Sequence, residues 1–236
     1  MRTTALIVAG GTGSRFAAAG SVDSLPKQFA LLAGRPILAV TLERFARHDR
    51  IDGIVIVSHP DHVERTREIA GSGPAAEKLC GVVPGGGSRQ LSVLNGLESI
   101  DGAEDDIVVI HDAVRPLVTG EAITDSIEAA IEHGAADVVT RTTDTIVIAD
   151  GASIGSIPDR RALRNEQTPQ TFRLGLIREA HRRAHRDGRT DFSDDVQLAM
   201  AMDHPVKLVE GPPENFKITT PQDLKLAELL LDGGEA

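Results

Sequence analysis

The feature that most constrains the fold is an apolar run near the start that breaks into glycines and is followed by two cations. Residues 5–9 are Ala-Leu-Ile-Val-Ala, residues 10–13 are Gly-Gly-Thr-Gly, and Arg15 and Lys27 follow. A short apolar run is typical of a buried strand, and small residues let backbone N–H groups approach an anion closely. A helix N-terminus after such a loop adds a favourable dipole. The start therefore predicts a strand that delivers a phosphate-binding loop, with Arg15 and Lys27 as fixed positive charges.

Strand-like and helix-like segments alternate after this start. The β-branched runs at 54–57 and 107–110 are typical of strands buried on both faces. Between such runs, apolar residues recur at helical spacing, as in the stripe Ile123, Ile127 and Ile131. This order predicts an α/β fold with a doubly wound, mostly parallel sheet and helices on both faces.

The alternation stops between about 141 and 170. Residues 142–161 contain two short apolar runs around Asp150-Gly151, a pattern that predicts a β-hairpin without a crossover helix. Helices are expected to resume at about 174. A chain of 236 residues has the length of one sizeable domain. We therefore expect a single domain, residues 1–236, with 142–161 as a protruding arm.

Composition and charge exclude several classes of protein. The net charge of −10 argues against a general nucleic-acid binder, which needs a basic surface. The single cysteine, Cys80, rules out an internal disulfide and a cysteine-rich zinc site, and its apolar neighbours predict a buried structural thiol. No signal peptide is recognisable at the start, and no apolar run approaches about 20 residues. We expect a cytoplasmic protein without a membrane or nucleic-acid partner.

Three glycine-rich or charged loops follow directly after predicted strands, at 10–15, 85–89 and 111–116. Ligands of open α/β sheets bind at the carboxyl ends of the strands, so these loops can share one crevice. Asp112 in the third loop is a candidate Mg²⁺ ligand, because Mg²⁺ prefers one or two carboxylates plus phosphate oxygens and water. A helix cap is the alternative role for Asp112. His111 is expected to be a structural hydrogen-bonding group.

Several familiar motifs are absent from the sequence. Phe16 stands where the third glycine of a dinucleotide fingerprint belongs, no Gly-Lys-Ser/Thr of a Walker A loop follows, and no serine sits in a nucleophile elbow. An NAD-dependent oxidoreductase is therefore disfavoured. Phosphate-binding cations and a metal carboxylate without a nucleophile suit transfer between phosphates, where positioning and charge neutralisation supply most of the rate.

A second group of basic residues occurs at helical spacing. Arg178, Arg182, Arg183, Arg186 and Arg189 are interleaved with histidines at 181 and 185. We interpret this run as the solvated face of a helix. The two histidines have the spacing of a metal pair, but no glutamate completes a zinc motif.

Several motifs in sequence order carry a resemblance to a known family. They are Ala9-Gly10-Gly11-Thr12-Gly13-Ser14-Arg15, Pro26-Lys27-Gln28-Phe29, Gly86-Gly87-Ser88-Arg89, His111-Asp112-Ala113-Val114-Arg115-Pro116, Asp144-Thr145, Pro158-Asp159-Arg160, Gln167-Thr168-Pro169-Gln170 and Asn215-Phe216-Lys217-Ile218-Thr219-Thr220-Pro221. Over nearly the whole chain, they resemble the cytidylyltransferases that make CDP-linked polyols. The resemblance implies a Rossmann-like nucleotidyltransferase fold.

The resemblance also implies the chemistry and the roles of individual residues. CMP would pass from CTP to a polyol phosphate with release of pyrophosphate, and Asp112 would hold Mg²⁺ against the triphosphate. The implied catalytic residues are Arg15, Lys27 and Lys217. The implied nucleotide-binding residues are Ala9, Gly10, Gly11, Gly13, Gly86, Gly87, Ser92 and Asp112. The implied acceptor-binding residues are Arg115, Thr145, Arg160 and Thr168. The 142–161 arm would reach over a second subunit, so a homodimer with composite sites is implied.

Two acceptors remain open from the motifs. The isoprenoid members of the family use 2-C-methyl-D-erythritol 4-phosphate, and Arg89-Gln90-Leu91-Ser92-Val93 resembles them. The Gly10-Gly11 pair, His111 to Arg115 and Ile157 to Arg160 resemble the sister enzymes that use D-ribitol 5-phosphate. We take methylerythritol phosphate as the first interpretation, since that activity is the commoner one. A protein that binds CTP without turnover is the alternative from another class, and pyrophosphate release distinguishes it.

Overall fold

The first apolar run of the sequence forms strand β1, and the fold is organised around this strand. A computed structural model of the chain describes residues 1–11, 26–190 and 192–232. The strands in these ranges are β1 (Thr3–Ala9), β2 (Leu31–Leu32), β3 (Arg35–Pro36), β4 (Gly53–Ser58), β5 (Leu79–Pro84), β6 (Ile107–Asp112), β7 (Ala135–Arg141), β8 (Ile148–Asp150), β9 (Ser153–Ser156), β10 (Arg164–Arg173) and β11 (Lys207–Glu210). The central sheet has the order β11-β7-β10-β6-β1-β4-β5. Its pairs β6–β1, β1–β4, β4–β5 and β7–β11 are parallel.

The helices lie on both faces of this sheet, as the alternating pattern predicts. They are α1 (Ile37–Ala46), α2 (Val63–Gly71), α3 (Arg89–Ser99), α4 (Gly120–His133), α5 (Leu174–Arg186), α6 (Asp195–Met200) and α7 (Pro221–Asp232). Successive side chains along each strand point to opposite faces of the sheet, so the core has two parts, one on each face. On β1, Ala5 and Ile7 join the cluster that contains α1 and α4, whereas Leu6 joins the cluster that contains α3 and α5. The doubly wound, mostly parallel fold class is therefore confirmed.

Local sequence signals explain where several helices begin and end. The side chain of Ser88 accepts a hydrogen bond from the Leu91 backbone N–H, which makes Ser88 the expected N-cap of α3. Helix α4 ends at Gly134, whose φ of 87° places it in the left-handed conformation that glycine adopts at little cost. At α6 the cap is Asp194, which accepts from the Gln197 N–H at 3.0 Å.

The interruption of the alternating pattern corresponds to one antiparallel strand, which the sequence analysis missed. Strand β10 lies between β6 and β7 and runs antiparallel to both. Its residues Gln167 to Phe172 are buried although most of them are polar, so hydropathy gave no strand signal. The β8–β9 hairpin forms as predicted within 142–161, and its residues are exposed.

Two further observations concern the surface. The Cys80 thiol is exposed, because it lies on the edge strand β5, so the prediction of a buried thiol is wrong. Among the helices in the described ranges, none combines the length and apolar character needed to cross a membrane.

Candidate active site

A cavity of about 500 Å³ opens at the carboxyl ends of β1 and β6, where the loop analysis places a shared crevice. Nine of the predicted site residues that the structure describes line it: Ala9, Gly10, Gly11, Lys27, Gly86, Gly87, Ser92, Asp112 and Lys217. Gly13 and Arg15 lie outside the described residues, so their predicted roles stay predictions. The described residues of the three loops therefore meet at one site, as expected.

The Pro26-Lys27-Gln28 segment supports the glycine loop from below. The buried amide of Gln28 donates hydrogen bonds to the carbonyl oxygens of Ala9 at 2.8 Å and Gly11 at 3.2 Å. Sequence analysis treated Gln28 only as part of a motif. In the structure it fixes the conformation of the main chain that faces the cavity.

Ser92 ties the second glycine loop to helix α3. Its hydroxyl donates to the Ser88 carbonyl at 2.8 Å and accepts from the Gly86 N–H at 3.1 Å. A Cβ on Gly86 would lie 2.6 Å from the Leu91 Cβ, which is closer than real side chains approach. Glycine at 86 therefore lets this loop pack against the first turn of α3.

Asp112 lies at the centre of a group of cations in the site. Its Oδ2 atom lies 2.8 Å from the Lys217 Nζ and 3.5 Å from the Arg115 Nε. Burial by itself would raise the pKa of Asp112, but the charges of Lys217, Arg89 and Arg115 hold it well below its usual range. Asp112 is therefore ionised across the physiological pH range.

The two predicted catalytic lysines are close neighbours in space. The Lys27 ammonium group donates to the carbonyl of Ile218 at 3.0 Å, so it lies beside the backbone that carries Lys217. Both side chains line the cavity. The chain thus brings two cations from distant parts of the sequence to one wall of the site.

A smaller cavity of about 150 Å³ adjoins the first. It is lined by Arg89, Asp112, Arg115, Glu166, Gln167, Thr168, Gln170, Ser193, Asp194 and Lys217. Arg115 and Thr168, two of the four predicted acceptor-binding residues, are among them. The two cavities share Arg89, Asp112 and Lys217.

A hydrogen-bonded chain beneath the smaller cavity fixes the orientation of Thr168. Burial lowers the pKa of His111 to about 4, so the ring is neutral. Its Nε2–H donates to the Arg115 carbonyl at 3.0 Å, which leaves Nδ1 to accept from the Thr168 hydroxyl at 2.9 Å. That hydroxyl in turn accepts from the Asp112 N–H at 3.2 Å. His111 is therefore the structural hydrogen-bonding group that we expected.

The other two predicted acceptor-binding residues lie elsewhere. Thr145 and Arg160 are exposed on the 142–161 segment, and neither lines one of the two cavities. The Arg160 guanidinium donates to the Thr143 carbonyl at 2.8 Å. Within one chain, the structure does not bring these two residues to the site.

An acidic group behind the smaller cavity was not foreseen. Asp137 on β7 is 5% exposed, and one of its carboxylate oxygens is buried without a partner among the described residues. Burial, followed by the charges of Glu166 and Asp194, raises the pKa of Asp137 to about 8. Burial and Asp194 likewise raise the pKa of Glu166 to about 7. The sequence analysis did not indicate this pair because it did not indicate β10, whose pairing with β7 brings Glu166 and Asp137 together.

The basic helix is only partly a solvated face. Arg182, Arg183 and Arg186 are exposed on α5 as expected. Arg178 instead donates to the backbone carbonyls of Leu97 and Ile100 at the end of α3, and His181 is fully buried.

The donor set fits a magnesium ion that is held jointly with a triphosphate. Asp112 supplies one ionised carboxylate to the larger cavity, and no group of three potential protein ligands occurs in the described ranges. Mg²⁺ is commonly bound by one or two carboxylates with the remaining positions taken by phosphates and water. Asp112 is therefore the residue that would hold the ion.

Comparisons with known proteins give a consistent picture. The sequence model of the family "2-C-methyl-D-erythritol 4-phosphate cytidylyltransferase" matches residues 3–233. A protein of that name from Thermobifida fusca (strain YX) is 39% identical over 243 residues, which cover 100% of this chain and 95% of the relative. A bifunctional enzyme IspD/IspF from Rhodopseudomonas palustris (strain HaA2) is 43% identical over 96% of this chain. The chain spans about half (55%) of that bifunctional relative.

Solved structures agree with these sequence matches. The crystal structure of 2-C-methyl-D-erythritol 4-phosphate cytidylyltransferase from Thermus thermophilus has a TM-score of 0.76 and 34% identity, covering 98% of this chain and 100% of that one. The 4-diphosphocytidyl-2C-methyl-D-erythritol synthase from Anaerococcus prevotii DSM 20548 has a TM-score of 0.83 and 29% identity, covering 98% and 96%.

Proposed function

The chain belongs to the 2-C-methyl-D-erythritol 4-phosphate cytidylyltransferase family, and on that premise we propose that it transfers CMP from CTP to 2-C-methyl-D-erythritol 4-phosphate and releases pyrophosphate. The observation that carries the proposal is the convergence of Lys27, Lys217 and Asp112 on a glycine-walled cavity. That cavity joins a second one lined by Arg115 and Thr168.

The two cavities suit the two substrates of such a transfer. CTP would occupy the larger one, against the main chain of residues 9–11 and 86–87, and the acceptor phosphate would occupy the smaller one. An oxygen of the acceptor phosphate attacks the α-phosphorus of CTP in line, and the bond from that phosphorus to the bridging oxygen breaks to release pyrophosphate. The acceptor needs no protein base, because a phosphate monoester is already anionic at neutral pH.

The cations of the site supply the electrostatic part of catalysis. Lys27 and Lys217 line the cavity together, where positive charge stabilises the negative charge that develops on the phosphoryl oxygens. We propose Arg15 as a further cation from the glycine loop. These residues bind and orient the substrates rather than exchange protons with them.

Magnesium fits the site through Asp112. The ion, when bound, neutralises triphosphate charge and orients the phosphates. The residue that would hold it is ionised across the physiological pH range because Lys217, Arg89 and Arg115 surround it. Lys217 and Arg115 also hold the Asp112 carboxylate at the boundary that the two cavities share.

The preferred acceptor follows from the comparisons. The family model and the Thermobifida fusca relative both carry the name of the methylerythritol phosphate enzyme. None of the relatives and solved structures described above is named for D-ribitol 5-phosphate, the acceptor that the Gly10-Gly11 pair left open. We therefore propose methylerythritol phosphate as the acceptor.

The arm suits a composite site in a homodimer. Residues 142–161 protrude from the single domain that we propose for the chain, and they expose the apolar side chains of Ile148, Ile154 and Ile157. Thr145 and Arg160 lie on this arm away from both cavities of their own chain. Pairing of two copies would cover the apolar side chains and bring these residues to the partner's acceptor cavity.

We also propose a cytoplasmic location. The sequence has a single cysteine, so the chain forms no internal disulfide, as is usual for proteins of reducing compartments.

One assay tests the proposed function. The protein is incubated with CTP and Mg²⁺ and either methylerythritol 4-phosphate or ribitol 5-phosphate, and pyrophosphate is measured. We expect release with methylerythritol 4-phosphate. Release with ribitol 5-phosphate alone would overturn the proposed acceptor. CTP binding without release for either acceptor would favour a nucleotide-binding protein.

A further inference from the structure

Arg89 occupies the seam between the two cavities. It is the first residue of α3, directly after the Ser88 cap, so its backbone is fixed by the hydrogen bond between Ser88 and Leu91. Of the described residues, only Asp112 and Lys217 share its position as lining residues of both cavities. In a transfer between two phosphates, the groups at the seam are those that can touch both reactants.

A buried carboxylate holds Arg89 from behind. The Arg89 Nη2 atom lies 2.8 Å from the Asp195 Oδ2, and the Asp195 side chain is only 1% exposed. The other Asp195 oxygen accepts from the His181 Nε2 at 2.9 Å, and the Asp195 N–H donates to the Gln170 Oε1 at 3.0 Å. Asp195 is thus fixed by α5 and β10 as well as by its own helix.

The geometry leaves much of the guanidinium available to a ligand. An arginine has five N–H donors, and in the described residues the only carboxylate within ion-pair distance of Arg89 meets it through Nη2. The Arg89 side chain is 27% exposed whereas its counter-ion is buried. The anion of this pair is therefore buried behind the cation, and the cation is the partner that lines both cavities.

We infer that Arg89 binds the phosphate group of the acceptor, beside Arg115 and Lys217, and that Asp195 and His181 are positioning residues that act through it. The inference rests on the proposed function. Planar, bidentate recognition of phosphate is the particular strength of arginine, and the smaller cavity is the place where a phosphate monoester would meet three cations. The Asp195 carboxylate, 2.8 Å from the Arg89 Nη2 atom, keeps the arginine charge beside that cavity.

A double-variant design separates this role from a structural one. Arg89→Met alone leaves Asp195 charged and buried without its partner, which destabilises the fold. Arg89→Met/Asp195→Asn removes both charges and is expected to recover most of the thermal stability. We expect the kcat/KM of the double variant for methylerythritol 4-phosphate to be about 10- to 100-fold lower than that of wild type. Its KM for CTP should stay within about threefold of the wild-type value.

The positioning role has its own readout. His181→Gln retains an N–H donor near the position of the imidazole Nε2, whereas His181→Phe removes it. We expect His181→Gln to retain the KM for the acceptor and His181→Phe to raise it severalfold, at equal CTP affinity. The matched control is Arg182→Met/Glu98→Gln, an exposed ion pair between α5 and α3, which should change neither constant.

Several outcomes would overturn the inference. A double variant at Arg89 and Asp195 with wild-type kcat/KM would show that the pair is structural, and equal losses for CTP and acceptor would place Arg89 on the nucleotide instead. Calorimetry with methylerythritol 4-phosphate alone keeps the test separate from the proposed function. If wild type releases no pyrophosphate but binds this phosphate, and Arg89→Met/Asp195→Asn does not, the function fails and the inference stands.

Discussion

The larger cavity is walled mainly by main chain and neutral hydrogen bonds, whereas the smaller cavity is lined mainly by charged side chains. Gln28 and Ser92 hold the glycine loops of the first through amide and hydroxyl contacts. Arg89, Arg115, Glu166 and Asp194 surround the second. A cavity wall made of main chain is rigid and does not titrate. A wall made of charged side chains can change its charge through single substitutions. With the substrates placed as we propose, nucleotide recognition is the fixed part of this site and acceptor recognition is the adjustable part.

The largest effect should come from a cation of the larger cavity that stabilises the charge on the reacting phosphate. We expect Lys27→Ala to lower turnover by about 10²-fold or more, because it removes charge stabilisation in the transition state. The exposed Lys207→Ala is the control. Turnover from pyrophosphate release should fall only in the first variant, and near-wild-type turnover of Lys27→Ala would contradict the proposed mechanism.

The rigidity of the backbone wall can be tested inside one loop. Gly86→Ala places a Cβ 2.6 Å from the Leu91 Cβ, whereas a Cβ on Gly87 meets nothing within 4 Å. Overpacking of this kind costs about 1–3 kcal/mol, so we expect a lower melting temperature and weaker CTP binding for Gly86→Ala. For Gly87→Ala we expect an unchanged melting temperature. Equal melting temperatures in the two variants would show that the loop is not held against α3.

The arm offers a change that should affect one substrate only. We expect Arg160→Ala to raise the KM for the acceptor about tenfold and leave the KM for CTP unchanged, since the arm would complete the acceptor cavity of a partner subunit. The adjacent Arg161, whose side chain is 91% exposed and paired with Asp159, provides the control Arg161→Ala. Loss of CTP affinity in Arg160→Ala would remove the distinction between the two cavities.

The acidic group should give the acceptor side a pH dependence that the backbone wall lacks. Burial raises the pKa of Asp137 to about 8, so the folded protein retains a proton that the unfolded chain releases near 3.8. The contribution of Asp137 to the free energy of unfolding then falls as pH rises from about 4 to about 8. We expect Asp137→Asn, which cannot ionise, to lose less thermal stability over this range than wild type, by about 1 kcal/mol or more.

Melting temperatures across pH measure this difference, with the exposed Asp101→Asn as a control. Parallel curves for wild type and Asp137→Asn would mean that Asp137 is charged in the folded protein.

Sequence reasoning predicted the parts of the fold that depend on local patterns. The apolar runs of β1, β4 and β6, the Ser88 cap and the Gly134 terminus all carry short-range signals. It failed for β10, because a strand of polar residues becomes buried only when β6 and β7 flank it. The interpretation of α5 as a solvated face holds for Arg182, Arg183 and Arg186. It is wrong for Arg178 and His181, which find their partners on α3 and α6.

The site shows the same division. Glycine loops and the Asp112 and Lys217 motifs are recognisable in the chain, so most of the larger cavity could be predicted. The network of His111, Thr168 and Asp112 and the acids at 137 and 166 depend on contacts between distant strands. Arg89 is recognisable as part of the Gly86-Gly87-Ser88-Arg89 motif. Its position between the two cavities, however, cannot be predicted from the spacing of residues along the chain.

The pairing of Arg141 with Arg164 across β7 and β10 has a consequence for how this chain can evolve. This pairing attaches both ends of the arm to adjacent strands of the sheet. The residues between them therefore form a closed loop, and the distance between its ends is the spacing of β7 and β10. Each doubling in the length of such a loop costs only about 0.6 kcal/mol. Insertions and deletions in the arm should therefore cost the folded domain little stability, so selection on the length of the arm acts through the positions of Thr145 and Arg160 at a partner subunit rather than through folding.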